Sequence, residues 1–83
     1  MTEGFRKDTI TFEIVAYMGT ISKYTDRNGN EWAKEVNIVA WNKGEPKVDI
    51  REWNSDHSRM SKGLRLTDEE AKALCDILKE RYE

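Results

Sequence analysis

Between residues 9 and 22, Ile10, Phe12, Ile14, Ala16 and Met18 alternate with Thr11, Glu13, Val15 and Tyr17. A period of two, in a run rich in β-branched and aromatic residues, predicts a strand with one buried face. Tyr24-Thr25-Asp26-Arg27-Asn28-Gly29-Asn30 ends it, and the Asn-Gly pair, which tolerates positive φ at both positions, predicts a hairpin turn. A second strand follows over 31–41, with Val36, Ile38 and Ala40 on one face and Asn37, Val39 and Trp41 on the other. Asn42-Lys43-Gly44-Glu45-Pro46 is a second turn, since proline is tolerated only at the edge or start of a strand. The third strand, 47–53, puts Val48 and Ile50 on one side and Lys47, Asp49, Arg51 and Trp53 on the other. After a polar loop at 54–58, residues 59–66 read as a shorter fourth strand interrupted by Gly63.

The period then changes. Thr67-Asp68-Glu69-Glu70 has the form of a capping box, the Thr67 hydroxyl accepting from the N–H of residue 70 while the Glu70 carboxylate reaches back to the Thr67 N–H. Ala71, Leu74, Cys75, Leu78 and Tyr82 then form one apolar stripe of an amphipathic helix of about four turns. The order is ββββα, an α+β fold: a curved four-stranded antiparallel sheet with one C-terminal helix. It makes a single domain over 1–83, with its core at about 9–82. One helix covers one sheet face, so the stripe is expected over Val36, Ile38, Val48 and Ile50. Asn37, Trp41, Lys47, Arg51 and Trp53 then look outward, or into a groove shared with a second subunit. Trp32 has the opposite parity to Trp41 and is a core candidate.

Composition sharpens this picture. A chain of 83 residues buries only about 60 % of the surface that its unfolded form exposes, so its core is marginal without a disulfide, metal or partner. Cys75 alone cannot form an internal disulfide, and one cysteine with one histidine makes a poor metal site. Oligomerisation is the expected supplement, and no metal or cofactor is expected. The longest apolar run, Ile14-Val15-Ala16-Tyr17-Met18, is far short of the ~20 residues of a membrane span. Met1-Thr2-Glu3-Gly4-Phe5-Arg6-Lys7-Asp8 lacks the basic-then-apolar profile of a secretory signal, and a lone thiol suits the reducing cytoplasm.

The net charge of −2 argues against a nucleic-acid ligand until it is divided along the chain. Residues 68–83 hold six acids and three bases, so the preceding 67 carry 11 bases and 10 acids. The stretch 42–65 has six bases against four acids. A mildly basic body therefore precedes an acidic helix.

Catalytic chemistry finds little support. Asp56-His57-Ser58 holds the three side chains of a hydrolase triad, but consecutive residues cannot adopt its geometry, and His57 reads as a solvated loop histidine. Cys75 lies on the helix stripe as a small buried hydrophobe with no cation to activate it. No glycine-rich loop precedes the helix to cradle a phosphate. An enzyme is not expected.

What remains is a sheet face that interleaves aromatic and cationic residues: Trp41, Lys43, Lys47, Arg51 and Trp53, then Arg59 and Lys62. Unpaired bases stack on aromatic rings while Lys and Arg track phosphates, so the pattern suits single-stranded nucleic acid better than a duplex. The same residues also suit a protein-interaction surface, because strand tryptophans are common core and interface anchors. Pattern alone leaves both readings open.

The run Pro46-Lys47-Val48-Asp49-Ile50-Arg51-Glu52-Trp53, followed by Met60-Ser61-Lys62-Gly63-Leu64-Arg65-Leu66-Thr67 and an acidic capped helix, resembles the positive-cofactor-four transcriptional coactivator family. With Trp32-Ala33-Lys34-Glu35-Val36-Asn37 and Trp53-Asn54-Ser55-Asp56-His57, it looks most like the bacterial YdbC-type branch. The resemblance covers about residues 9–82. It implies a homodimer whose curved sheets form channels for single-stranded DNA, with helices and neighbouring strands packed across the two-fold axis. Arg51 and Lys62 match phosphate-contacting positions, and Trp41 and Trp53 fall at or beside stacking positions. The expectation is a non-enzymatic, largely sequence-independent single-stranded DNA-binding protein of transcription, replication, recombination or repair, cytoplasmic or associated with a bacterial nucleoid. Lys43, Lys47, Arg51, Arg59 and Lys62 would hold phosphates, Trp41 and Trp53 would stack bases, and Asn37 would bond a base or sugar. The alternatives are an interaction module using the aromatic face and an RNA-binding protein.

Overall fold

A computed structural model describes residues 10–83. Thr9, where the alternating pattern begins, lies outside the described residues, as does the opening segment 1–8. The elements are β1 (Phe12–Thr25), β2 (Glu31–Trp41), β3 (Lys47–Asn54), β4 (Leu64–Leu66) and α1 (Asp68–Tyr82). The strands form one antiparallel sheet in the order β1-β2-β3-β4, so the ββββα architecture is as the periodicities predict.

β1 differs from expectation in length and regularity. Its ladder with β2 slips between Ile14 and Ala16, between Tyr17 and Gly19 and between Thr20 and Ser22. Each slip leaves one residue unpaired: Val15, Met18 and Ile21. These bulges break the predicted single face, because Phe12 and Ile14 pair with Trp41 and Val39 whereas Ala16 pairs with Ile38 on the opposite face. At the β1–β2 turn Gly29 alone takes positive φ, at 85°. The Asp26 carboxylate organises that turn, accepting from the N–H groups of Asn28 and Asn30 at 2.9 Å each and from the Trp32 indole at 3.0 Å. Trp32 is half-buried there, not a core residue.

The sheet is strongly curled. Trp41 pairs with Phe12, whereas Trp53 pairs with Ala33, eight residues back along β2. On a flat strand that separation is about 26 Å, yet the Phe12 and Trp53 ring centroids lie 5.1 Å apart. The two ends of the sheet therefore meet over one face, which becomes concave.

The fourth strand is shorter than the pattern suggests. Met60 makes only an isolated bridge to Trp53, and regular pairing resumes at Leu64. Gly63 marks the gap: a Cβ there would collide with the Ile50 carbonyl oxygen and with the Arg51 Cβ, so only glycine lets the chain pass this close to β3.

The helix begins as predicted. The Glu70 N–H donates to Thr67 Oγ1 at 3.1 Å and the Thr67 N–H to Glu70 Oε1 at 2.9 Å, completing the capping box. Its apolar stripe, however, does not seal the sheet. Among the described elements α1 meets only β3 and β4, and it buries none of its residues; Ala71 and Leu74 are half-buried while Cys75, Leu78 and Tyr82 are exposed. Cys75 is thus not the buried small hydrophobe that the stripe implies. Val36, Ile38, Val48 and Ile50 on the convex face are only half-buried, because a helix tethered next to β4 reaches one side of the sheet. Of the buried apolar residues, Val39, Trp41 and Trp53 lie on the other face, and the small Ala40 alone is on the convex one among the described residues. Among the described residues no helix is long and apolar enough to cross a membrane.

Candidate nucleic-acid interface

The ladder registers assemble the concave face. Phe12, Ile14, Tyr17 and Thr20 on β1 pair with Trp41, Val39, Asn37 and Glu35 on β2. The last three of these pair with Lys47, Asp49 and Arg51 on β3, and Asp49 pairs with Arg65 on β4. Asn37, Trp41, Lys47, Arg51 and Trp53 therefore share one face, as their parity predicts. Their exposure does not follow the prediction. Trp53 is 0 % and Trp41 8 % exposed, Asn37 is fully buried, and Lys47 alone of the five is open to solvent. The curl accounts for this, because it brings Phe12 from the far end of the sheet onto Trp53.

Arg51 is not a free cation. Its Nε and Nη2 donate to the two Asp49 carboxylate oxygens at 2.7 and 2.8 Å. Nη1 donates to the Ser61 carbonyl at 3.2 Å and approaches Met60 Sδ at 3.5 Å. The guanidinium also lies 4.5 Å from the Trp41 ring centroid. Arg51 thereby ties β3 to the 60–61 segment and lies against the Trp41 ring, a buried side chain where parity predicts an outward-looking one. Arg65, an exposed residue that pattern reasoning passed over, lies 4.2 Å from the same ring.

Lys43, Lys47, Arg59 and Lys62 are exposed. Lys43 sits in the turn after Trp41 with φ 64°, beside Asn42 at 51°. That turn is pinned to β1, Thr11 N–H donating to Asn42 Oδ1 at 2.9 Å and Asn42 N–H to the Thr11 carbonyl at 2.7 Å. Arg59 is placed by its N–H, which donates to Asn54 Oδ1 at 2.8 Å. Among the described residues none of these four has an acidic partner of the kind that occupies Arg51, and Lys62 lies beside Lys34, Ile50, Glu52 and Leu64 of the convex side.

A buried polar group lies at the Trp53 end. His57, at φ 60°, packs against Trp53 in a tilted contact with a centroid separation of 5.1 Å and brings Nε2 within 2.9 Å of Glu35 Oε1. Asn37 Nδ2 donates to the same oxygen at 3.0 Å. His57 is thus half-buried and bonded across 22 residues, not a solvated loop histidine. Burial pushes the Glu35 carboxyl up, but the hydrogen bonds from His57 and Asn37, with the positive charges of His57 and Lys23, outweigh it and hold the group below its ordinary value. Asn37 Oδ1 and the indole nitrogens of Trp41 and Trp53 are buried with no hydrogen-bond partner among the described residues.

Parity alone would have placed Glu35, Asp49 and Arg65 beside Asn37, Arg51 and Trp41. His57 gave no comparable signal, since its contact depends on how the 54–58 loop folds back.

Two comparisons with known proteins bear on this face. Residues 29–77 match the family model described as Transcriptional Coactivator p15 (PC4), a span that takes in β2, β3, β4 and most of α1. The chain is also 39 % identical over 75 residues to a protein of Treponema pallidum (strain Nichols) described as uncharacterized, covering 90 % of this chain and 84 % of that one. The aromatic and cationic concave face lies within the matched span apart from what β1 adds, and the chain belongs to the PC4 transcriptional coactivator family of nucleic-acid-binding domains.

Proposed function

We propose that this protein is a non-enzymatic, largely sequence-independent single-stranded DNA-binding protein that works as a homodimer. The observation that carries the reading is the convergence of Trp41, Trp53, Arg51, Arg65 and Lys47 on one curled face, with exposed cations Lys43, Arg59 and Lys62 in the turn and loop that adjoin its strands. The exposed lysines and arginines track phosphates, Trp41 and Trp53 take bases, and Asn37 bonds a base or sugar. Arg51 works from beneath as a positioning residue. Each stacked base contributes ~1–3 kcal/mol with little regard to its identity, which suits a site without a base-edge code. Family membership supports the ligand class. The runs Trp32-Ala33-Lys34-Glu35-Val36-Asn37 and Trp53-Asn54-Ser55-Asp56-His57 support the YdbC-type branch, the lone thiol suits a cytoplasmic or nucleoid-associated setting, and the ligand class suits a role in transcription, replication, recombination or repair.

The dimer is supported by how little one chain buries: among the described residues the buried apolar ones are Val39, Ala40, Trp41 and Trp53. Leu64 at 59 %, Leu78 at 47 % and Tyr82 at 77 % exposure, beside half-buried Val36, Ile38, Val48 and Ile50, make an apolar convex side for a second copy to cover. Titration of dT20 against a duplex of equal length, read by tryptophan fluorescence at several salt concentrations, tests the function. Quenching by dT20 that weakens with salt is expected; no quenching and no salt dependence would sink the reading. Competition by oligo-U separates DNA from RNA.

A further inference from the structure

The rings assigned to base stacking already make tilted aromatic contacts with the chain's own side chains. Phe12 lies 5.1 Å from Trp53 at 48° and 5.7 Å from Trp41 at 44°, between centroids. Such separations are those of ordinary aromatic pairs. On the same concave face, three buried polar atoms are unmet: Asn37 Oδ1, Trp41 Nε1 and Trp53 Nε1 find no partner among the described residues. A buried polar atom without a partner is uncommon and disfavoured. A phenyl ring supplies a flat apolar face and no hydrogen-bonding edge, whereas a nucleobase supplies both.

Resting on the single-strand reading above, we propose that Phe12 stands in for a nucleobase on the concave face, and that a bound strand displaces it to insert a base whose edge meets these polar atoms. Phe12 is placed for such a role. It is 36 % exposed at the rim, it belongs to the end of the sheet that curls over, and the first bulge of β1 comes three residues on at Val15. Opening the curl there would move Phe12 and Trp41 away from Trp53 together, because the two are paired in the ladder.

The test compares the wild-type protein with Phe12→Ala on dT20 and on an abasic strand of the same length and phosphate count. Removing a competitor worth one aromatic pair is expected to tighten dT20 binding by about 2- to 12-fold, to leave the abasic strand unchanged, and to make the ligand-free tryptophans more accessible to acrylamide. Unchanged or weaker dT20 binding by a folded Phe12→Ala protein overturns the proposal, as does equal tightening of both strands. Should Phe12→Ala unfold, Phe12→Leu, which keeps apolar bulk without the ring, decides by the same comparison. Wild-type protein that binds no oligonucleotide overturns the single-strand reading itself, and this inference with it; wild-type binding without the Phe12 effect overturns the inference alone.

Discussion

The Asp49 carboxylate grips the Arg51 guanidinium at two points, 2.7 and 2.8 Å, from two residues back on the same strand, and both side chains are buried. Bidentate geometry of this kind is the strong form of the ion pair. Here it neutralises one of the two cations that lie over Trp41 and leaves the open charge to Arg65, Arg59 and the lysines. Asp49→Ala strands a buried guanidinium, so a loss of about 3–5 kcal/mol is expected by urea denaturation. A loss below about 1 kcal/mol, the range of surface pairs, would mean that the pair is not buried in solution.

The rim cations should behave in the opposite way. Lys43→Ala, Lys47→Ala, Arg59→Ala and Lys62→Ala are each expected to leave the unfolding midpoint near that of wild type while weakening dT20 binding. Each residue that neutralises one phosphate should reduce the slope of log affinity against log salt by about 0.7. Four unchanged slopes would remove these residues from the interface.

Acid should act through Glu35. Its carboxyl lies below the ordinary value of 4.5, burial being outweighed by the bonds from His57 and Asn37. A carboxyl lowered on folding contributes its stability in full above the unfolded value and loses it as pH falls through the folded one. Wild type should therefore exceed Glu35→Gln in stability at pH 7, with the gap closing as pH falls below about 4.5. Asp26 and Asp56 are lowered as well, so the comparison is made between the two proteins and not on wild type alone. A gap that stays constant down to pH 3 would contradict the assignment.

The uncovered apolar stripe predicts the assembly state. Sedimentation should return a species of twice the 9.7 kDa chain mass at micromolar concentration. Leu78→Glu, on an exposed helix position, should shift it toward the single chain. A wild-type protein that sediments as one chain would rule out the homodimer.

The helix start offers an independent check of the fold. Thr67→Ala removes the acceptor for the Glu70 N–H and should lower stability by about 0.5–2 kcal/mol, read by thermal or urea unfolding.

Local chemistry was the most legible level. The Asn-Gly turn, the Thr67–Glu70 cap and the parity of Asn37, Trp41, Arg51 and Trp53 follow from spacing alone, because each depends on residues close in sequence or on a period of two. Exposure was not legible. Parity assigns residues to a face without saying which way the sheet curls, and the curl hides Trp53 and leaves Val36 and Ile38 half-covered. The bulges at Val15, Met18 and Ile21 escape notice for the same reason, since the alternation of β1 reads evenly until its partner strand is known. The Glu35–His57 bond joins residues 22 apart through a loop with positive φ, and nothing in the spacing announces it.

β1 uses 14 residues to run beside the 11 of β2, and the surplus of three is its three bulges. That surplus has a consequence at the sheet's border. A bulged strand offers an incoming chain an irregular row of amides, with no long even stretch for a foreign strand to register against. Val15, Met18 and Ile21, exposed as they are, thus sit on an edge ill-suited to open-ended strand addition. An even, exposed apolar border would invite fibrous growth, and the three bulges deny it that regularity.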